Sequence, residues 1–239
     1  MALAILQARV SSTRLPGKVL ADLVGAPMVL RQVERLSRCR RLTGLVLAIP
    51  DDPRDDGLEE TLRAADLTVF RGDLNNVLGR FAGAIRAAGS PDTVVRLTAD
   101  CPLADPEVID ATIALFHASG ADYTSNTGDH RTFPIGLDAE VFRADALLEA
   151  DRETSDPYDR EHVTPFLYRR PERYRISTHS QQVQEGAVRW TVDRPDDLTF
   201  VREVYGALHA AKPDFTSQDI RRFVASRPDL ATFGGDRRL

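Results

Sequence analysis

The residues best suited to chemistry are Arg9, Arg14 and Lys18, close together in Leu6-Gln7-Ala8-Arg9-Val10-Ser11-Ser12-Thr13-Arg14-Leu15-Pro16-Gly17-Lys18. An apolar run gives way at Arg9 to hydroxyl side chains and then to Pro16-Gly17, so a strand ends in a tight cationic loop. Cations supply charge-assisted hydrogen bonds to phosphate oxygens, hydroxyls and free amides supply neutral ones, and Gly17 lets the backbone come close. The chemistry that fits is the gripping of a polyphosphate, although the spacing is not that of a Walker A loop. The plainer alternative is a solvated loop whose charges happen to be neighbours.

Carboxylates recur at the tips of apolar runs. Val94-Val95-Arg96-Leu97-Thr98-Ala99-Asp100 presents Asp100 where it can either cap a turn or take a Mg²⁺ that also touches phosphate. Arg189-Trp190-Thr191-Val192-Asp193 again ends a strand at an aspartate. In Phe133-Pro134-Ile135-Gly136-Leu137-Asp138-Ala139-Glu140-Val141-Phe142, Asp138 and Glu140 alternate with apolar residues and share one face of a strand. That face is either a pocket wall or a solvated acidic surface. Glu161 and His162 can hydrogen-bond a sugar and Arg160 can meet a carboxylate, though a helix start favours the same polarity.

These groups need a frame. Pro27 opens a helix through Met28, Val29, Val33 and Leu36, and a strand follows at residues 44–49. A helix at 57–65, a strand at 67–70, a helix from about 76 to 88 and a strand at 93–97 continue the alternation. Such alternation implies right-handed βαβ crossovers, a mainly parallel sheet and ligands at the carboxyl ends of its strands. Arg9, Arg71 and Asp100 fall just past predicted strand ends. Asp105 caps a helix that begins at Pro106. Residues 122–126 lead toward the site, followed by the turn-rich Thr127-Gly128-Asp129-His130. Strands at 173–178 and 187–192, with Trp190 in the core, precede a helix from Pro195 and further packing helices. The polar tail carries no assigned role.

The chain has 239 residues, 42% of them hydrophobic and 28% charged, which suits an ordinary soluble globular protein with a sizeable core. A net charge of −5 argues against a nucleic-acid partner. The cluster Arg35, Arg38, Arg40 and Arg41 is expected to be a solvated helix end. No run is long enough to span a bilayer and none reads as a signal peptide, so no membrane partner and a cytoplasmic location are expected. Cys39 and Cys101 have neither disulfide nor metal-site spacing.

The run Gln7-Ala8-Arg9, followed by Ser12-Thr13-Arg14-Leu15-Pro16-Gly17-Lys18, resembles the signature of cytidylyltransferases that make CMP-activated acid sugars. It is most similar to the SpsF-like branch, and more distantly to CMP-Kdo and CMP-sialic acid synthetases. Val94–Leu103, Glu161-His162-Val163-Thr164-Pro165 and the W-T-V-D-x-P-x-D-L pattern from Trp190 extend the resemblance along nearly the whole chain. It implies a Rossmann-like, GT-A-like α/β nucleotidyltransferase: three α/β/α layers on a mainly parallel mixed sheet. A single domain would span 1–239, with 125–190 forming an acceptor-binding and dimerisation subregion of a homodimer.

The resemblance further implies transfer of CMP from CTP to a hydroxyl of a nonulosonic or Kdo-like sugar acid, with release of pyrophosphate, for surface polysaccharide. CTP would lie against Leu6, Gln7, Ala8, Arg9, Ser12, Arg14, Lys18, Arg71, Thr98, Ala99 and Asp100. The acceptor would meet Asn126, Gly136, Asp138, Glu140, Glu161 and His162. Mg²⁺ would be held by Asp100 and Asp193, which with Arg9 and Lys18 form the catalytic set. The Kdo enzymes carry a Glu after the metal-binding Asp; Cys101 stands there in this chain, so that carboxylate has no counterpart. No general base stands out. A metal-bound hydroxyl losing its proton to water suffices, and His162 is a candidate.

Two rivals share much of this pattern. One is a nucleotidyltransferase joining another NTP to a sugar 1-phosphate; the other is a nucleotide-binding module without catalysis.

Overall fold

The opening apolar run forms β1 (Ala2–Gln7), and side chains alternate along it between two cores. Ala4 and Leu6 face Leu47, Ile49, Val95 and Leu97 on one side. Ile5 faces Val46, Ala48 and Val94 on the other. Each buried Leu, Ile or Val among these stabilises by about 1.5–3 kcal/mol, which fixes both the register and the faces. The computed structural model describes residues 1–128 and 130–239; Asp129, in the predicted turn after Thr127, lies outside the described residues.

After β1 the chain runs through α1 (Met28–Leu36), β2 (Leu42–Pro50), α2 (Asp56–Ala64), β3 (Thr68–Gly72), α3 (Val77–Ala87), β4 (Thr93–Thr98) and α4 (Pro106–Ser119). This matches the predicted alternation, and Asp105 caps α4 through a hydrogen bond from Glu107 N at 2.9 Å. Next come β5 (Tyr123–Ser125), β6 (Glu140–Arg143), α5 (Ala144–Glu153), α6 (Pro157–His162), α7 (Pro165–Tyr168) and β7 (Ile176–Thr178). The chain ends with α8 (Pro195–Leu208), α9 (Ser217–Ala225), α10 (Pro228–Ala231) and a hairpin of β8 (Thr232–Phe233) and β9 (Asp236–Arg237).

The main sheet has seven strands in the order β3-β2-β1-β4-β6-β5-β7. Every pair is parallel except those of β6, which runs against both its neighbours. Helices α1, α2 and α4 cover one face and α3, α5 and α7 the other, giving the expected three-layer α/β/α arrangement on a mainly parallel mixed sheet. A third core packs Trp190, Val188 and Val192 against α8, α9 and α10.

Some expectations fail locally. Residues 133–139 and 187–192 do not form strands; they meet at an isolated bridge between Ile135 and Arg189. Around Trp190 the backbone bonds go to different partners, Ile135, Arg237 and Asp100, so no ladder propagates. Arg35 is not solvated: it is 1% exposed, its Nε donates to the Ala104 carbonyl at 2.7 Å, and its guanidinium lies 4.1 Å from the centre of the Phe215 ring. The Tyr158 segment is itself helical, capped by Asp156 with Pro157 in the first turn.

Candidate active site

The crossovers from β1 and into β4 lie on opposite faces of the sheet, α1 in one core and α3 in the other. The carboxyl ends of these adjacent strands therefore open a crevice at the switch point of the sheet. The cationic loop fills its rim. Val10 N donates to the buried Asp55 Oδ1 at 2.7 Å, and Ser12 N and Gly17 N both return to the Val10 carbonyl. Gly17, at φ 74°, turns the chain into a single 3₁₀ turn, Lys18–Leu20, that sends Lys18 inward.

Lys18 is 8% exposed and is the hub of the site. Its Nζ donates to the Val192 carbonyl at 2.6 Å, to Asp193 Oδ1 at 3.1 Å and to Asp100 Oδ2 at 3.4 Å. Asp193 also forms an ion pair with Arg14 at 2.8 Å and accepts from Arg189 at 2.6 Å. Burial acts to raise the Asp193 pKa, but the Arg189 hydrogen bond and the Lys18 and Arg14 charges outweigh it and hold the carboxyl below its ordinary range. Asp100 is freer: its side chain is 32% exposed and Lys18 is its one ion-pair partner among the described residues.

Beside this hub lies a cavity of about 250 Å³ lined by Gln7, Ala8, Arg9, Ser12, Arg14 and Lys18 on one side, with Thr98, Ala99, Asp100, Glu161 and Asp193 across from them. Arg80 of α3 also lines it and was not anticipated from the sequence. It is 2% exposed, has no carboxylate within ion-pair distance among the described residues, and donates to the Asp73 carbonyl at 2.7 Å. Burial, with Arg9 nearby, lowers its pKa to about 10, so it stays charged at neutral pH. The detectable signal was an arginine on the apolar face of a helix, between Leu78 and Phe81.

A larger cavity, about 530 Å³, adjoins the first. Arg96 forms an ion pair with the buried Glu140, which also accepts from Tyr123 Oη at 2.6 Å and Thr164 Oγ1 at 2.5 Å. Burial works to raise the Glu140 pKa, and the Arg96 charge and these donors hold it low instead. Asp138 is gripped by Arg131. Arg96, Thr98 and His162 line both cavities.

His162 is carried there by a strained turn. Helix α6 ends at Val163, fully buried, with φ 75° and ψ −57°. Thr164 N donates to the His162 carbonyl at 2.9 Å, closing a three-residue γ-turn around a β-branched residue. Such a conformation costs about 1–3 kcal/mol and persists only where its surroundings impose it. It directs His162 to the cavity junction and Thr164 to Glu140.

Several predicted site residues serve the frame instead. Arg71 lies within β3 and points at α2, where it binds Asp56 and Glu59, each at 2.7 Å, and the Asp52 carbonyl at 2.8 Å. It lines neither cavity, because nearby carboxylates at the ends of β2 and α2 capture it. Leu6 is core. Asn126 is 1% exposed and spends its amide on the Leu137 carbonyl and Ala139 N. Gly136, at φ 110°, is needed for packing: a Cβ there would meet Thr191 N at 2.6 Å. Glu161 faces the smaller cavity and not the larger one.

The donor set fits Mg²⁺. No cluster of three or more metal-binding side chains occurs among the described residues, but Mg²⁺ commonly takes one or two carboxylates and completes its shell with water and substrate phosphates. Asp100 and Asp193, converging on one ammonium beside a cationic cleft, are such a pair.

The family model for cytidylyltransferases matches residues 3–211. The spore coat polysaccharide biosynthesis protein SpsF of Bacillus subtilis is 32% identical over 236 residues, 95% of each chain. A cytidylyltransferase structure from Leptospira borgpetersenii superposes with a TM-score of 0.89 at 27% identity, covering 96% of both chains. A 3-deoxy-manno-octulosonate cytidylyltransferase of Anaeromyxobacter dehalogenans is 40% identical over 119 residues, 49% of this chain and 47% of that protein. The α/β/α frame, the cationic loop at its switch point and these likenesses place the chain in the cytidylyltransferase family, as a nucleotidyltransferase enzyme.

Proposed function

We propose that this protein transfers CMP from CTP to a hydroxyl of an acid sugar, nonulosonic or Kdo-like, and releases pyrophosphate. The observation that carries this reading is the convergence of the loop lysine, Lys18, with the strand-tip carboxylates Asp100 and Asp193, beside a cleft that also holds Arg9, Arg14 and Arg80. That cleft has the charge for a triphosphate, and the larger cavity behind it has polar groups for a polyol. The names of SpsF and the octulosonate enzyme support a sugar-acid acceptor and a role in surface polysaccharide.

In this reading Arg9, Arg14, Lys18 and Arg80 grip the triphosphate and stabilise the charge that develops on the departing pyrophosphate. A Mg²⁺ held by Asp100, with Asp193 beside it, supplies neutralisation of the phosphate oxygens when bound. Residues 125–190 supply the acceptor half, where Arg131 can exchange Asp138 for the substrate's carboxylate. The protein works in the cytoplasm as a homodimer.

The test is pyrophosphate release with each NTP, Mg²⁺ and a panel of sugar acids and sugar 1-phosphates. Turnover with CTP and a sugar acid is expected. Turnover confined to a sugar 1-phosphate, or to another NTP, would overturn the assignment.

A further inference from the structure

We infer that His162 is the general base that takes the proton from the acceptor hydroxyl, an inference that rests on the nucleotidyl-transfer reading above. The attacking oxygen must cross from the larger cavity to the α-phosphorus in the smaller one, so the base must stand where the two meet. Of the residues lining both, Arg96 is permanently charged and paired with Glu140, and Thr98 offers only a hydroxyl. His162 remains.

Of the nearby carboxylates, Glu161 lines only the smaller of the two cavities, and the others are already engaged. Glu140 is buried under three donors, Asp138 is held by Arg131, and Asp100 and Asp193 share Lys18. The His162 imidazole has no hydrogen-bond partner among the described residues. Its ring rests on Tyr158, with centroids 4.2 Å apart, and the Arg169 guanidinium backs Tyr158 at 4.3 Å. An aromatic support and the strained turn at Val163 thus orient an imidazole that has one nitrogen free to accept in its neutral form.

The step balances. The acceptor O–H bond breaks as its oxygen bonds to the α-phosphorus, and the proton moves to an imidazole nitrogen. The bond from the α-phosphorus to the bridging oxygen breaks, and its electrons leave with pyrophosphate. The imidazolium later returns its proton to water.

The full chain is assayed with CTP and Mg²⁺, using 3-deoxy-manno-octulosonate and N-acylneuraminates as acceptors. His162→Ala is expected to lower kcat by about 10²–10⁴-fold, with the calorimetric Kd for CTP and the Tm unchanged. Added imidazole should restore turnover to His162→Ala, and the restored rate should rise with basicity across substituted imidazoles. His162→Gln, which keeps a polar side chain in the same space, should stay slow and unresponsive. Turnover of His162→Ala within about threefold of the parent would overturn the inference. So would a loss that imidazoles do not restore, which would leave His162 a positioning residue. If the unaltered protein transfers CMP to no acceptor while binding CTP, the nucleotidyl-transfer reading falls and the base falls with it.

Discussion

Lys18 Nζ stands 3.1 Å from Asp193 Oδ1, across 175 residues of sequence. The contact closes the cationic loop onto the far end of the fold and balances charge in the cleft. Lys18→Met should lower kcat/KM by about 10²–10³-fold, since it removes a donor aimed at developing charge. It should cost only about 1–3 kcal/mol of stability, because Asp193 keeps Arg14 and Arg189. Denaturant unfolding and pyrophosphate release measure the two effects; unimpaired turnover would remove Lys18 from the mechanism.

The two strand-tip aspartates should separate. Asp100 is half-open and lightly paired, so Asp100→Asn should abolish turnover yet change stability by less than about 1 kcal/mol. Asp193 neutralises three cations, so Asp193→Asn should abolish turnover and also cost about 3 kcal/mol. Equal unfolding midpoints for the two variants would contradict this division.

Much of the site was legible because its residues sit at abrupt boundaries between apolar and polar runs. Arg9, Lys18, Asp100 and Asp193 are of this kind, and the structure brings all four to one cleft. Arg80 and Arg71 show what such boundaries hide. Both are arginines in amphipathic elements, and their roles depend on which carboxylates tertiary packing places within reach. Arg71 meets Asp56 and Glu59, whereas among the described residues Arg80 meets only carbonyls. The stretches at 133–139 and 187–192 read as strands from alternation, but a ladder needs a continuous partner, and local sequence does not say whether one is present. Helix α5 carries a sequence signal of its own, since Ala144, Leu147 and Ala150 recur at helical spacing on its buried face.

That contrast between arginines gives a direct comparison. Arg80→Met should weaken CTP binding by about tenfold or more, as expected for loss of one charged hydrogen bond to phosphate. Arg71→Met should leave CTP affinity within about twofold and cost no more than about 1 kcal/mol of stability, being a surface ion-pair change. Isothermal titration with CTP decides; a large affinity loss in Arg71→Met would return it to the nucleotide site.

Gly136 should matter through the backbone. In Gly136→Ala the new Cβ would lie 2.6 Å from Thr191 N and 2.8 Å from the Trp190 carbonyl carbon, at a φ of 110° that L residues rarely adopt. The variant should lose about 3 kcal/mol or more, and activity should fall with it, since Trp190 and Thr191 lead directly to Asp193. An Ala variant with unchanged Tm but a raised KM for the acceptor would instead give Gly136 a direct role in sugar binding.

Acid should unlatch the C-terminal end of the site through Asp197. This fully buried carboxylate accepts from Arg238 at 2.8 Å, from Arg189, and from the amides of Asp193 and Arg194, each at 2.9 Å. Burial acts to raise its pKa, but these donors outweigh it and hold the group well below the ordinary carboxylate range. A depressed folded pKa means that the stabilisation is complete above the unfolded value of about 3.9 and is lost as pH falls toward the folded value. Asp55 acts in the opposite sense, because burial raises its pKa. Asp197→Asn isolates the latch. It should lose about 3 kcal/mol at neutral pH, since the buried Arg238 is left with only the more distant Asp236, 3.8 Å away, and its stability should fall less steeply than the parent's between about pH 5 and pH 2. Thermal unfolding across that range measures both, and parallel acid limbs would show that Asp197 does not govern this transition.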